Sequence, residues 1–333
     1  MTAPIELSAP SRLHLGLLNL SDRGTRIDGG VGLMLEDPRL LIRVEQAASL
    51  QIWPDQYVNE VLFCLNRLGK SSVPLRLEID CGIQPHVGLG WHTQLRLGIA
   101  TAVCSFLGLS IDPAGLAPLL GRGGTSAIGS WGFWTGGFMV DAGHRRKVKT
   151  SFGPSSSSTV PELPPLIFKA PFTWPLVMAV APSMEGIHGE REKALFAANT
   201  PVPWTETLEA YATVLSQMVP AIVEDDFDSF CCSMERLRTL GFKRRELAAR
   251  GAAAEAAILS LETSCLRGVS MSSWGPVFFG VAPTFAGALS SADQLRASGR
   301  FETVWVSRAA QEGASLTTGD GRCSAYSYIQ SLR

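Results

Sequence analysis

The chain has 333 residues, 46% of them hydrophobic and 18% charged, with a formal net charge of −1, which excludes a disordered chain and predicts a well-filled core shared between two domains. A near-neutral balance provides no basic field for nucleic acid or an anionic membrane, so any anion must be held by a local site. No apolar run reaches membrane-spanning length, and the start MTAPIELSAPSRL has no basic flank leading into an apolar stretch; a cytoplasmic protein with no nucleic-acid or membrane partner is predicted. The seven cysteines form no CxxC pair and read as reduced thiols, with neither a zinc knuckle nor a redox centre indicated.

In chain order, the first segment that carries chemistry is PSRLHLGL at 10–17, followed by RIDGG at 26–30. His14 is a candidate proton carrier, because histidine titrates near neutrality. If the second run is extended, Arg26 and Asp28 project to one side. Arginine there recognises phosphate or carboxylate bidentately, and aspartate accepts ribose hydroxyls or holds Mg2+. Asp-Gly-Gly is equally an ordinary hairpin turn. Residues 39–45 read as a strand. Val58, Val61, Leu62, Leu65 and Leu68 repeat at helical spacing before Gly69, and Leu75, Leu77 and Ile79 alternate with Arg76, Glu78 and Asp80 as in a half-buried strand.

The loop PHVGLGWHTQ at 85–94 leads into a helix whose apolar face is Leu95, Ile99, Ala102, Val103 and Phe106. Gly88 and Gly90 let backbone amides approach a ligand, and the helix N-terminus favours an anion; Leu89, His92, Thr93 and Gln94 complete this candidate phosphate site. The loop is neither a Walker A loop nor a dinucleotide fingerprint, and a lone GxG is also found in plain turns. A second glycine-rich stretch, GRGGTSAIG at 121–129, offers Arg122, Gly123, Gly124, Thr125 and Ser126 as another cradle for phosphate or carboxylate. A structural turn is again the alternative.

The serine- and proline-rich stretch 151–166 predicts a connector between domains at 1–160 and 170–333. Beyond it, 176–181 reads as a strand, 204–223, 227–239 and 246–262 as helices, and 277–281 and 303–306 as strands, a second α+β unit. After the first of these strands comes GIHGERE at 186–192, with His188 and Glu190 as candidates; an exposed helix start is the alternative. MSSWGP at 271–276 offers Ser272 and Ser273 for an anion and Trp274 for stacking, or simply a tryptophan buried in a turn.

The runs SRLHLGLLNL, RIDGGVGLML, HVGLG-x-x-TQL, GRGGTSAIG, GGFMVDAGH, GIHGEREK and SSWGP, in this order from residue 10 to about 276, resemble the β-ribofuranosylaminobenzene 5′-phosphate synthases of the GHMP kinase superfamily. The resemblance implies an α+β, two-domain GHMP fold, with an N-terminal ribosomal-protein-S5-like domain and a C-terminal ferredoxin-like domain. It implies a cytoplasmic transferase of one-carbon metabolism. Phosphoribosyl pyrophosphate would be joined to a substituted benzoate (4-aminobenzoate or 4-hydroxybenzoate), with release of pyrophosphate and CO2, in methanopterin biosynthesis. On that reading the amides of 88–93, with Mg2+ (magnesium), hold pyrophosphate. Arg26 and Asp28 position the ribosyl phosphate or the arene carboxylate, Asp28 or Glu190 carries the metal, and His14 or His188 handles protons. Kinases of the superfamily place a catalytic aspartate in a small-Gly-x-Asp pattern, and the comparable SAIGS at 126–130 has no carboxylate, which argues against phosphoryl transfer. Two alternatives are carried forward: a small-molecule kinase using ATP, and a ligand-binding homologue without catalysis. The latter draws on Trp91 and His92, which stand where small residues are expected. A homodimer is left open.

Overall fold

The computed structural model describes residues 3–155 and 160–332; the serine-rich 156–159 of the predicted connector lie outside the described residues. β1 (Ile5–Asn19) and β2 (Arg26–Gln46) make a long antiparallel hairpin, with Ile5 opposite Val44 and Asn19 opposite Asp28. The chain reverses at 20–25, so Asp28-Gly29-Gly30 lies inside a strand and not in a hairpin turn. β3 (Gln51–Trp53), α1 (Val58–Arg67) and β4 (Leu75–Cys81) follow, and Gly69, at φ +68°, stands just beyond the end of α1 as predicted. β4 runs antiparallel to 40–46 of β2 and parallel to β3. α2 (Trp91–Phe106) lies against β1 and β2 and is buried on nearly all sides, as its small and apolar residues allow. α3 (Pro113–Leu119), α4 (Ile128–Thr135), β5 (Phe138–Asp141), β6 (His144–Arg145) and β7 (Leu166–Ala170) complete this layer, β5 bridging 31–33 of β2 to β7.

β8 (Leu176–Val180) opens a second sheet. The helices α5 (Gly189–Ala198), α6 (Trp204–Thr213), α7 (Val219–Val223), α8 (Phe227–Arg238), α9 (Gly241–Ala248) and α10 (Ala252–Thr263) come next. A π-helical turn at Val214–Met218 joins α6 to α7 just before Pro220, which has no N–H to give a regular ladder. The single helix expected at 246–262 is broken, because Gly251 takes φ +58° between α9 and α10. β9 (Arg267–Met271), β10 (Val277–Val281), α11 (Phe285–Ala297) and β11 (Thr303–Ser307) complete an antiparallel sheet of order β11-β8-β10-β9. Leu176 and Met178 join the main core, while Val177 and Ala179 join a second cluster under α10 and α11, so alternation along β8 feeds two layers.

The chain then returns to the first sheet. β12 (Ser315–Thr318) pairs with 6–8 of β1, β13 (Gly321–Ser324) pairs with β12, and α12 (Ala325–Ser331) seats Ala325 and Ile329 in the core. Among the described residues no helix is long and apolar enough to cross a membrane.

Candidate active site

β1 forms the floor of a cavity of about 370 Å3, within the roughly 300–1,000 Å3 usual for small-molecule sites. Strand alternation sends Arg12 and His14 to one face, and a register shift between His14 and Gly16 turns Leu17 to the cavity as well. The loop before α2, the glycine stretch 121–130, the turn at 272–275, α5 and α9 enclose it.

The loop's conformation depends on glycine. Gly88 and Gly90 lie at φ +94° and +77°. A Cβ on Gly88 would stand 2.2 Å from the Ser272 carbonyl oxygen, and one on Gly90 would stand 3.0 Å from Arg12 Cβ. At Gly88 backbone therefore touches backbone where only a hydrogen fits, and at Gly90 it meets the Arg12 side chain. Ser272 Oγ donates to the Gly88 carbonyl at 2.8 Å and accepts from His14 N at 3.1 Å, and Arg12 N donates to the Leu89 carbonyl at 2.9 Å. Loop, β1 and the Ser-Ser-Trp-Gly-Pro turn are thus locked together. The first residues of α2 face the cavity; the Thr93 and Gln94 N–H groups donate to the Gly90 carbonyl at 3.0 and 3.1 Å, which leaves those of Trp91 and His92 without an intrahelical acceptor.

Two guanidinium side chains, of Arg12 and Arg122, line the same space. Arg122 Nε donates to Thr93 Oγ1 at 3.0 Å. Burial, then the facing Arg122, lowers Arg12 to about 10; burial, then Arg96, does the same to Arg122. Two desolvated like charges are costly until an anion joins them. His14 is buried, with no hydrogen-bond partner for either ring nitrogen among the described residues, and burial, Arg12 and Lys243 hold its pKa well below the usual value. It is neutral at pH 7. Glu246 lines the cavity from α9, its carboxylate 2.5 Å from Lys243 Nζ, which also donates to the Met271 carbonyl at 3.0 Å. Glu192 reaches the cavity from α5.

Of the residues singled out in the sequence, His14, Gly88, Gly90, His92, Thr93, Arg122, Gly123, Thr125, Ser126, His188, Ser273 and Trp274 come together here. Leu89, Gln94, Gly124 and Ser272 act one layer back: Gln94 Nε2 donates to the Gly129 carbonyl at 2.9 Å, and the Gly124 carbonyl accepts from Lys149 Nζ at 2.6 Å. His92 Nε2 is 3.0 Å from Glu60 Oε1, and Arg96 Nε donates to the other oxygen of Glu60 at 2.7 Å, so the unexpected histidine is tied down beside the loop.

Three of the sequence's candidates lie apart from this cavity. Asp28 takes φ +68° and is fully buried away from the cavity, its Oδ2 accepting from Lys149 Nζ at 2.8 Å and lying 2.9 Å from His144 Nδ1, which leaves it unsuited to carry a metal at this site. Arg26 donates from Nε to the Ala142 and Gly143 carbonyls and does not line the cavity. Glu190 has an 89% exposed side chain paired with Lys193; on a helix, a residue two positions from Glu192 points elsewhere. The stretch 126–130 contributes no carboxylate, as read, but Glu192 and Glu246 bring two from the second half of the chain.

No family model matches the chain. The β-ribofuranosylphenol 5′-phosphate synthase of Archaeoglobus fulgidus is 33% identical to it over 318 residues, covering 94% of this chain and 99% of its own. The synthase of that name from Methanothermobacter thermautotrophicus is 31% identical, covering 88% and 93%. The chain belongs to the β-ribofuranosylphenol 5′-phosphate synthase family. It is thereby an enzyme. Homoserine kinase from Cytophaga hutchinsonii, at 14% identity, superposes with a TM-score of 0.63 over 95% of this chain and 98% of its own, and mevalonate kinase from L. major, at 13% identity, with 0.62 over 94% and 100%. These likenesses establish the fold: the α+β, two-domain GHMP architecture with ribosomal-protein-S5-like and ferredoxin-like parts.

For this member of the synthase family, sequence reading passed over Arg12, Glu192 and Glu246. Signals for them existed. Arg12 is two residues from His14 in a strand and so shares its face. Glu192 precedes buried Phe196 by four, and Glu246 follows buried Phe242 by four, the spacing that puts two side chains on one helix face.

Proposed function

We propose that the chain condenses phosphoribosyl pyrophosphate with 4-hydroxybenzoate or 4-aminobenzoate, releasing pyrophosphate and CO2 and forming a C-riboside for a methanopterin-type cofactor in the cytoplasm. The relatives' name, a ribofuranosylphenol phosphate, favours 4-hydroxybenzoate, because its decarboxylative coupling leaves a phenol. The observation that carries this reading is the convergence of Arg12, Arg122 and the open N-terminus of α2 on one end of the cavity, three anion-binding features where a departing diphosphate has to be held.

Loss of pyrophosphate from the sugar C1 leaves an oxocarbenium-like centre. The two guanidinium groups and the α2 amides take up charge on the leaving group. Glu246, buried and held by Lys243, sets a fixed negative charge on the cavity wall, where it stabilises the cation. Neutral His14, with both ring nitrogens unpartnered, offers the ribose one donor and one acceptor. The ring carbon bearing the carboxylate bonds to C1; the bond to the carboxylate then breaks, its electron pair returns to the ring, and CO2 leaves. Atoms and charge balance without a redox partner or a net proton.

Mg2+ belongs to this reading as the companion of the diphosphate. Among the described residues no three His, Cys, Asp or Glu side chains form a metal cluster, so a protein cage does not fit. A Mg2+ ion arriving on phosphates needs only one or two carboxylates, and Glu192 with the unpartnered Ser130 hydroxyl on the cavity wall fits that need. The ion would neutralise the leaving group.

The test is incubation with phosphoribosyl pyrophosphate, Mg2+ and carboxyl-labelled 4-hydroxybenzoate or 4-aminobenzoate. Equal amounts of CO2 and pyrophosphate are expected, both dependent on the sugar substrate. Tight binding of phosphoribosyl pyrophosphate without any release identifies a non-catalytic binder instead. The two cavity carboxylates and the kinases that share the fold favour a second reading, ATP-dependent phosphorylation of an alcohol. ADP formed from ATP and a sugar or isoprenoid alcohol, with no phosphoribosyl pyrophosphate present, decides for it.

A further inference from the structure

The cavity has a polarity that the anion-binding end does not use. Along the floor stand Arg12, His14 and then Leu17, so β1 leads from a cationic end to an apolar one, roughly 15 Å away at strand rise. Around Leu17 the wall is made by Ile187, Phe196 and Trp274, and these four belong to an apolar cluster separate from the main core. Phe242 wedges behind them, its ring 4.6 Å from that of Phe196 and 5.5 Å edge-on from that of Trp274. The two aromatic faces are therefore held rigidly rather than free to collapse into the space.

A sugar diphosphate presents charges and hydroxyls, and gains nothing from such a wall. A flat ring does, because aromatic pairs prefer offset or edge contacts that a rigid Phe and Trp supply at little entropic cost. We propose that the end formed by Leu17, Ile187, Phe196 and Trp274 is the acceptor subsite and takes a planar aromatic acid, its ring against Phe196 and Trp274 and its carboxylate-bearing carbon turned toward His14. This assignment rests on the condensation proposed above. It also gives His14 a second reason to lack charge: a cationic imidazole would pair with the acceptor carboxylate and oppose its loss as CO2, whereas a neutral one does not.

The test is calorimetric titration of the full chain, with pyrophosphate and Mg2+ saturating, using 4-hydroxybenzoate, 4-aminobenzoate and cyclohexanecarboxylate as probes. Wild type, Phe196→Leu and Leu17→Phe are compared, and phosphoribosyl pyrophosphate is titrated separately. The aromatic acids are expected to bind wild type about ten-fold tighter than the aliphatic one, and Phe196→Leu to remove most of that margin while shifting the Kd of phosphoribosyl pyrophosphate by less than about two-fold. Leu17→Phe, which fills the subsite, abolishes binding of all three probes. Melting curves show which variants fold, and Phe196→Leu alone decides if Leu17→Phe does not. Unchanged acid binding in folded Phe196→Leu, or equal losses for acid and sugar substrate, overturns the subsite even where wild type releases CO2. Wild type that binds the acid through Phe196 yet releases no CO2 overturns the reaction and leaves the subsite standing.

Discussion

Arg12 and Arg122 show how residue chemistry and position combine. Each alone is an ordinary arginine; in one half-buried cavity, burial and then Arg122 lower Arg12 to about 10, and burial and then Arg96 lower Arg122 as far, until an anion arrives. Arg12→Gln or Arg122→Gln is expected to raise the KM for phosphoribosyl pyrophosphate about ten- to hundred-fold, the loss of one charged hydrogen-bonding group, with a smaller change for the benzoate, both read from initial rates. Asp141 illustrates burial acting against good hydrogen bonding. It accepts from Gly143 N at 2.9 Å, Ala127 N at 3.0 Å and Ser126 Oγ at 3.0 Å, yet burial outweighs these donors and pushes it up from 3.8 to about 6. Between about pH 4 and 6 the native state then binds a proton that the unfolded chain does not. The contribution to stability is full below the unfolded value and is lost as pH rises through 6, roughly 3 kcal/mol in all. Asp141→Asn should flatten that part of the urea-denaturation profile, and a wild-type-minus-variant difference constant from pH 4 to 7 would refute the assignment.

At the scale of elements, the site depends on glycines that let neighbouring segments meet. Gly88→Ala sets a methyl group 2.2 Å from a backbone carbonyl of the Ser-Ser-Trp-Gly-Pro turn, whereas the methyl group of Gly90→Ala meets the Arg12 side chain at 3.0 Å. Both positions also have positive φ, a strain of about 1–3 kcal/mol for a residue with a Cβ. Gly88→Ala is therefore expected to lower the melting temperature more than Gly90→Ala, while Gly90→Ala chiefly displaces Arg12 and raises the KM for the diphosphate substrate. Glu60 performs a related task between α1 and α2. Burial would raise its pKa, but hydrogen bonds from His92 and Arg96 win and hold it at about 2. The support it gives is present above ordinary glutamate pKa values and lost as pH falls toward 2. Helix starts and strands at this scale were legible where apolar spacing was regular, as in α1, β4 and α8. The break at Gly251 was not, because Ala-rich sequence on either side keeps helical propensity high through it.

Across the whole molecule, the second half of the chain completes the first. β12 pairs with 6–8 of β1, the strand whose later residues form the site floor, and Leu316 and Ile329 are fully buried. Ile329→Ala is expected to cost about 2–5 kcal/mol in urea denaturation. The main core also crosses between the sheets, joining Leu7 and Ile42 to Met178 and Phe230. A cavity assembled from β1, α2, α5, α9 and a turn of the second sheet is accordingly sensitive to mutations far along the chain from any one of its residues.

What the amino-acid sequence by itself determined is local chemistry: which segments are rich in glycine, which helix begins after a phosphate-type loop, and which runs resemble the synthase family. Those properties depend on neighbours a few residues apart. Only the tertiary structure decided which charges face the cavity. Asp28 was withdrawn into a buried pair with Lys149, 121 positions away, and Glu190 was turned to solvent. Arg12, Glu192 and Glu246 were turned inward from three separate elements. The physical reason is that a buried charge is settled by the partners and dielectric around it in space, and those come from segments that sequence proximity does not connect.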